Sequence, residues 1–438
     1  MSRIPKVLLV IESSRGSGRA LLRGIAHYVR HRGPWSFYWE PGGLEKVWPK
    51  LKTLELDGII LRDVDKLKEV LGFGLPAVVI GHGRDEVACL LNVVTDSERI
   101  GHMAAEHLLA CGFKKFAYCG CRASIEENTP WSELRRQFFT QRIRQAGWSC
   151  ENFPIPPASS RLSWLRERGL MARWLQSLPK PLGLMAANDD RARQVVEACK
   201  FAGISVPSEV GIIGVDNDEV VCGLSDPPLS SVAVNFDRAG YEAASALDCL
   251  MKGTQPVPAR IVVYPTHIVV RRSTDVVAVE DKSVAKALRY IRGVSRQEDL
   301  TVAVVAQNAG VSRRLLEKRF RRELGCSVLD EIRRMHTDKM AQLLVETHLP
   351  VREIAETLGF NDVQHFARYF SSVKKMTPLA YRKAYAEYST QPPPPQSGDS
   401  FTQTGVEGSL PQCDAVRHDH SNSFAILDQP KPVDALSL

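Results

Sequence analysis

The segment SRRLLEKRFRREL, Ser312 to Leu324, sets an apolar stripe against a crowd of cations. Leu316, Phe320 and Leu324 recur at i, i+4 and i+8, the spacing of one helix face. Arg313, Arg314, Lys318, Arg319, Arg321 and Arg322 surround that stripe, answered only by Glu317 and Glu323. Like charges at neighbouring helical positions repel, so the arrangement calls for a polyanion outside the chain. Arg314, Glu317, Lys318 and Arg321 form the front of such a helix. Arginine commonly reads guanine there, and glutamate accepts from cytosine N4. Arg313 and Arg322 flank the front as phosphate contacts, which position without specifying.

The pattern occurs twice. TVAVVAQNAGVSRRLLEKRF and PVREIAETLGFNDVQHFARYF share an alanine and a glycine four apart, Ala306 with Gly310 and Ala355 with Gly359. An apolar residue follows each glycine, and an apolar pair closes each copy: Leu316 with Phe320, Phe366 with Phe370. The alanine admits close helix approach and the glycine a left-handed turn, which is helix–turn–helix grammar. In the second copy Gln364 and Arg368 are the base-reading candidates, Val363 can touch a thymine methyl, and His365 is either a contact or an exposed side chain. Val328 to Glu346 reads as one connecting helix. At ~1.5 Å per residue it spans roughly 28 Å, compatible with major grooves about 34 Å apart on one face of B-DNA.

A second set of polar residues follows short apolar runs nearer the amino terminus. Glu12 and Ser13 follow VLLVI, with Arg19 beyond; Asp63 follows GIIL; His82 follows AVVIG; Arg122 follows YCGC. Asn188 and Asp189 follow LMAA, Asp216 and Asn217 follow GIIGV, and Asn235 follows SVAV. In open α/β sheets ligands bind outside the carboxyl ends of strands. Carboxylates that accept two O–H bonds and a guanidinium fork suit the vicinal hydroxyls of a sugar, and Trp131 offers an aromatic face to cover a ring. Capping and turn formation are the alternative for each residue taken singly. No phosphate-binding loop, dinucleotide fingerprint or HExxH motif is present, so neither catalysis nor a cofactor is called for. Ten scattered cysteines, with only Cys119 and Cys121 closely paired, read as buried thiols in a reducing compartment rather than a metal site.

These residues need elements to hold them. From Lys6 to about Arg271, short β-rich runs alternate with amphipathic stretches, which predicts parallel sheets covered by helices and, over that length, two lobes with a cleft. Residues 1–272 are therefore expected as a two-lobed α/β sensor, 273–284 as a linker, and 285–388 as an all-α double helix–turn–helix domain. After Ser389 the run QPPPPQSGDS and an aperiodic polar stretch predict a disordered tail over 389–438. Charge follows the same division. Ser283–Tyr388 carries 19 Lys and Arg against 12 Asp and Glu, and the remainder is balanced, so the net +7 belongs to that segment. No apolar run reaches the ~20 residues of a membrane span, and the first residues lack the form of a secretion signal; a cytoplasmic protein is expected.

The segment Ser283–Tyr388 resembles the AraC/XylS family of transcription regulators, on AQNAGVSRRLLEKRF and on IAETLGFNDVQHFARYFSSVKKMTPLAYRK, including Gly359, Phe360, Phe366, Phe370, Pro378, Tyr381 and Arg382. DSERIGHMAAEHLLACGFKKFAYCG and VPSEVGIIGVDND are similar to the type I periplasmic-binding-protein fold of LacI-type repressors. A sensor of that type followed by an AraC-type domain resembles the bacterial xylose operon regulators over about residues 5–388. The resemblance implies that Arg19, Asp189 and Asp216 hold a sugar, with Asp63, Trp131 and Arg135 as wall residues. It further implies a dimeric regulator, expected to be an activator acting with RNA polymerase, that binds double-stranded operator DNA in response to xylose or a related sugar. A sugar-binding enzyme with a basic accessory domain is the alternative, and a transport binding protein a third.

Overall fold

The computed structural model describes residues 3–41, 54–62, 72, 74–81, 91–121, 130–155, 163–254, 260–294 and 300–386. Asp63, His82 and Arg122 lie outside them, as does the expected tail 389–438.

The first lobe begins with β1 (Lys6–Val10), α1 (Gly16–Arg32), β2 (Ser36–Trp39), β3 (Gly58–Arg62), β4 (Ala77–Ile80) and β5 (Leu91–Thr95). The chain then crosses to the second lobe. That lobe holds α2 (Ser97–Ala110), β6 (Phe116–Cys119), α3 (Pro130–Gln145), β7 (Cys150–Asn152), α4 (Trp164–Ser177), β8 (Leu182–Ala186), α5 (Asp189–Ala202), β9 (Val210–Asp216), α6 (Glu219–Leu224) and β10 (Ser230–Val234). A second crossing leads to α7 (Phe236–Met251) and β11 (Arg260–Val263) in the first lobe, and a third to β12 (Pro265–Val269) in the second. Among the described residues the sheets run β11-β5-β4-β3-β1-β2 and β12-β10-β9-β8-β6-β7. Every pairing is parallel except β10 with β12. The strands Val7–Val10, Ile59–Leu61, Leu182–Ala186 and Val210–Val215 are buried throughout, as parallel strands covered on both faces must be.

In both sheets the strand order reverses beside the first strand, at β1/β3 and at β6/β8. Those are the switch points where crevices open at the strands' carboxyl ends. The expected two-lobed α/β architecture is therefore present, with its cleft where the polar strand-end residues lie.

The carboxyl-terminal region is helical: α8 (Lys282–Gly293), α9 (Val302–Ala309), α10 (Arg313–Leu324), α11 (Val328–Glu346), α12 (Val351–Thr357), α13 (Val363–Lys374) and α14 (Pro378–Tyr385). The bounds of α11 coincide with the connecting helix read from the sequence. Its start is fixed by a capping box between Ser327 and Asp330. Gly310 and Gly359 hold φ of 72° and 81°, the left-handed turn between each helix pair. Two apolar clusters result. Val284, Leu288, Val305, Leu316, Phe320 and the start of α11 form one; Leu344, Ile354, Phe366, Phe370, Tyr381 and the end of α11 form the other. The segment expected as a linker is docked at its start. Arg272–Thr274 form a 3-10 turn with Ser273 and Thr274 fully buried, and α8 is already under way at Lys282.

Because the two clusters share only α11, damage to one should spare the other. Phe370→Ala removes a buried ring stacked near Phe366 and edge-on to Tyr381, a loss of about 3–5 kcal/mol. Hydrogen exchange should show lost amide protection in α12–α14 with α8–α10 unchanged; loss spread evenly over both would contradict two cores.

Candidate functional site

The cleft is built around a buried carboxyl. Asp189 opens α5 and is 3% exposed. One oxygen accepts the Ser231 hydroxyl at 2.6 Å and the other the Asp218 backbone N–H at 2.8 Å. A side chain at Gly214 would strike it: a Cβ there would lie 2.2 Å from Asp189 Oδ1. Burial first, and then the nearby Asp216 carboxylate, push the Asp189 carboxyl up from 3.8 to about 8.

Asp216 ends β9 with φ of 100°, and Asn217 follows at 53°. Two successive non-glycine residues in this region are strained and need outside support. The Asn217 N–H donates to Ser231 Oγ at 3.0 Å, and Arg271 donates to Asn217 Oδ1 at 2.8 Å. The held turn sets the Asp216 carboxylate 3.5 Å from Arg135 Nη2. Burial raises the Asp216 pKa, opposed by the guanidinium groups of Arg135, Arg62 and Arg15. Arg135 is itself 1% exposed. It donates to the Ala187 carbonyl at 2.5 Å, lies 4.8 Å from the Trp131 ring centre, and has no partner for its Nε–H. Trp131, Arg135, Asp189 and Asp216 thus come together.

Of the remaining expected residues, Arg19 and Glu12 stand beside this group at the lobe junction, and Asn235 at the joint with the helical domain. Arg19 donates to the carbonyls of Ser13 and Ser14 and to Asp218 at 3.3 Å, so it braces the lobe junction. Glu12 is exposed, accepts the Ser14 hydroxyl and stands 4.0 Å from Arg15. Asn235, expected at the ligand, instead caps α7 through the Arg238 N–H and donates to the Tyr385 carbonyl at 2.7 Å. Its amide is committed at both ends, the oxygen to the start of α7 and the nitrogen to the helical domain.

Sequence reading passed over four residues that the fold brings here. Asp218 accepts the Gly16 N–H at 2.5 Å, at the start of α1 in the opposite lobe, besides holding Arg19. Arg15 reaches Asp190 across the cleft at 3.4 Å. Arg62 donates to Ser17 Oγ at 3.1 Å. The signal was present: Arg62 is the last residue of β3, next to Asp63, and Asp218 adjoins Asp216 and Asn217.

On the helical domain, Ser312 and Asp362 cap the two cationic helices α10 and α13. Leu316, Phe320, Phe366 and Phe370 are buried, which turns the polar faces outward. Arg313, Arg314, Glu317, Lys318 and Arg321 line one open groove. Gln364, His365 and Arg368 are exposed on α13, whereas Val363 is half-buried against the second core. Arg322, expected at phosphate, is turned toward acids of its own chain: Asp281 at 3.2 Å and Glu323 at 3.1 Å. Glu323 in turn holds Lys114 of the sensor at 3.0 Å.

Residues 105–274 match the periplasmic binding protein-like domain family, and residues 305–384 match a helix-turn-helix domain. The xylose operon regulatory protein of Escherichia coli K12 is 29% identical over 391 residues, covering 87% of this chain and 98% of the relative. That of Haemophilus influenzae is 28% identical over 383 residues, 86% and 98% respectively. Among solved structures, a xylose-binding transcription activator, xylR, superposes with a TM-score of 0.55 at 27% identity, over 88% of this chain and all of that one.

The raised Asp189 pKa has a stability consequence. The folded chain keeps a proton that the unfolded chain releases near pH 3.8, so the associated stability is complete below that pH and is lost as pH rises through about 8. Asn at 189 cannot titrate. Relative to Asp189→Asn, the thermal midpoint of the wild type should fall between about pH 5 and about pH 8; a constant difference would refute the assignment.

Proposed function

We propose that this chain, which joins a periplasmic binding protein-like sensor to an AraC-type double helix-turn-helix domain as the xylose operon regulators do, is a sugar-responsive transcription regulator of a sugar-utilisation operon. The effector is xylose or a close relative. Sensor and reader are taken as residues 1–272 and 285–388, joined through 273–284.

One observation carries the reading. A buried Asp189 and Arg135 and a half-buried Asp216, walled by Trp131, meet at strand ends in the same chain as two capped helices with exposed cations. The first group suits adjacent hydroxyls: protonated Asp189 can donate, Asp216 accepts, and Arg135 offers its unpartnered Nε–H. Hydrogen-bonded sites of this kind discriminate strongly, because a wrong ligand leaves buried polar groups unpaired. The second group suits duplex DNA. Arg314, Glu317, Lys318 and Arg321 on α10, and Gln364 and Arg368 on α13, are the base readers; Arg313 contacts phosphate.

Sugar binds between the lobes and favours the closed form by its differential affinity for it. The regulator acts in the cytoplasm as a homodimer on a paired operator and, as an activator, presents RNA polymerase with a changed arrangement of readers.

Isothermal calorimetry with D-xylose against a panel of pentoses and hexoses tests the sensor. D-xylose or a close relative should bind, and Asp216→Ala should abolish the heat while leaving operator binding without sugar in place. Failure of every sugar in the panel would sink the reading. Arg368→Ala should weaken operator binding by about 1–3 kcal/mol at fixed salt; an unchanged gel-shift titration would remove Arg368 from the interface.

A further inference from the structure

The three crossings between lobes lie close together, and α14 of the helical domain sits on all of them. At the first, Arg99, in the opening turn of α2 just after β5, donates to the Tyr385 hydroxyl at 3.1 Å. At the second, Asn235, between β10 and α7, donates to the Tyr385 carbonyl at 2.7 Å. Arg238, one turn on, donates to the carbonyls of Lys383 and Ala384 at 2.6 and 2.8 Å. At the third, between β11 and β12, the Tyr264 ring lies edge-on to Tyr385 at 6.3 Å, and Thr266 accepts the Tyr381 hydroxyl at 2.8 Å. The crossings are themselves tied, Asn235 N–H to the Tyr264 carbonyl at 3.2 Å and Asp96 N–H to that of Val263 at 2.9 Å.

The last carbonyls of a helix have no partner within it. Those of α14 are capped here by a cation and an amide from the sensor, a favourable placement at a helix carboxyl end. Tyr381 and Tyr385 also belong to the second apolar cluster, Tyr381 meeting Phe370 of α13 at 5.1 Å. The crossings thus grip the half of the reader that carries α13, which also meets β12 of the second lobe where His267 pairs with Glu346 at 2.9 Å. The other half is held differently. Lys114 with Glu323, and Arg292 with the Ala110 carbonyl at 3.4 Å, join the first cluster to the far end of α2, wholly within the second lobe.

We propose that α14 is the take-off point of the sugar signal. The crossings are the segments whose backbone must turn when the lobes close, and one reader half is fastened to them while the other is fastened to a single lobe. Closure therefore displaces the second reader helix relative to the first, and the operator senses the change in their spacing. This inference rests on the proposed sugar response.

The test uses the full chain, D-xylose and an operator fragment. In the wild type, saturating D-xylose should change operator Kd by about 5- to 150-fold, the usual range of coupling between sites. In Arg99→Ala/Arg238→Ala, calorimetry should give the wild-type D-xylose affinity while the change in operator Kd shrinks to within about twofold of none. A wild-type-sized change with those grips removed would overturn the proposal. Hydrogen exchange on the unaltered protein gives a second measurement, independent of how well the variant folds. D-xylose should alter amide protection over residues 378–386, and identical protection with and without it would overturn the proposal too. Absence of heat in the wild type with every sugar of the panel would strike the proposed function and this inference with it.

Discussion

Burying one carboxyl fixes most of the cleft. Asp189 is out of water and without a full cation of its own, an expensive state for a charged group. The chain meets that cost by supplying two donors, Ser231 Oγ and the Asp218 N–H, and by keeping the proton on. To reach it, the Asp218 N–H must come from a turn with positive φ at Asp216 and Asn217. The same turn sends the Asp216 carboxylate toward Arg135 and the Asp218 carboxylate toward α1 of the opposite lobe. A single buried group thus accompanies the strained turn, the acid that faces Arg135 and the lobe-to-lobe brace. Perturbed carboxyls of this sort gather at working sites because fold stability alone would be better served by apolar residues.

The reader solves a different electrostatic problem. Six cations on the twelve residues of α10 cannot all be relieved from within. Arg319 and Arg322 are drawn to Asp281, which also caps α8. Arg313, Arg314, Lys318 and Arg321 are left around the groove with Glu317. The chain therefore pairs two of the cations with the cap of α8 and leaves the other four around the open groove. A phosphate backbone relieves the remainder, with release of condensed counterions.

Much of this was legible in the sequence, for identifiable reasons. The helix Val328–Glu346 could be bounded because its apolar periodicity marks it, and the turns at Gly310 and Gly359 because few other residues adopt that φ readily. Strand-end positions located Asp189 and Asp216, since buried parallel strands stand out as apolar runs. What sequence could not supply was direction. Asp216, Asn217 and Asp218 are adjacent, yet the strained turn sends their side chains to an arginine, to the sensor's exit and to the other lobe respectively. Asn235 looked like one more strand-end polar residue, but the strand it ends leads into a crossing, and its amide faces the reader. Arg322 resembled its cationic neighbours because the acid that claims it, Asp281, lies some forty positions away.

The joint between sensor and reader gains meaning from where its contacts begin. From the strained turn, Asn217 leads to Arg271, whose N–H meets Ser230 Oγ at 2.8 Å. Ser230 meets Thr274 at 2.7 Å, and Thr274 meets His107 at 2.8 Å. Burial, with Arg334 and Arg292 nearby, lowers the His107 pKa to about 3, so the imidazole stays neutral across the physiological range. It runs within the second lobe and arrives where Arg292 fastens the first reader half. Movement of the lobes passes instead through the crossings to α14 and the second half. The first half is tied to α2 of the second lobe, whereas the second half is tied to α7 of the first lobe as well as to α2 and β12 of the second, so under the proposal its placement follows the angle between lobes. A protein whose two reading helices answered to the same rigid body could move along DNA as a unit but could not change their spacing; under the proposal, tying one half across both lobes makes that spacing depend on the angle between them.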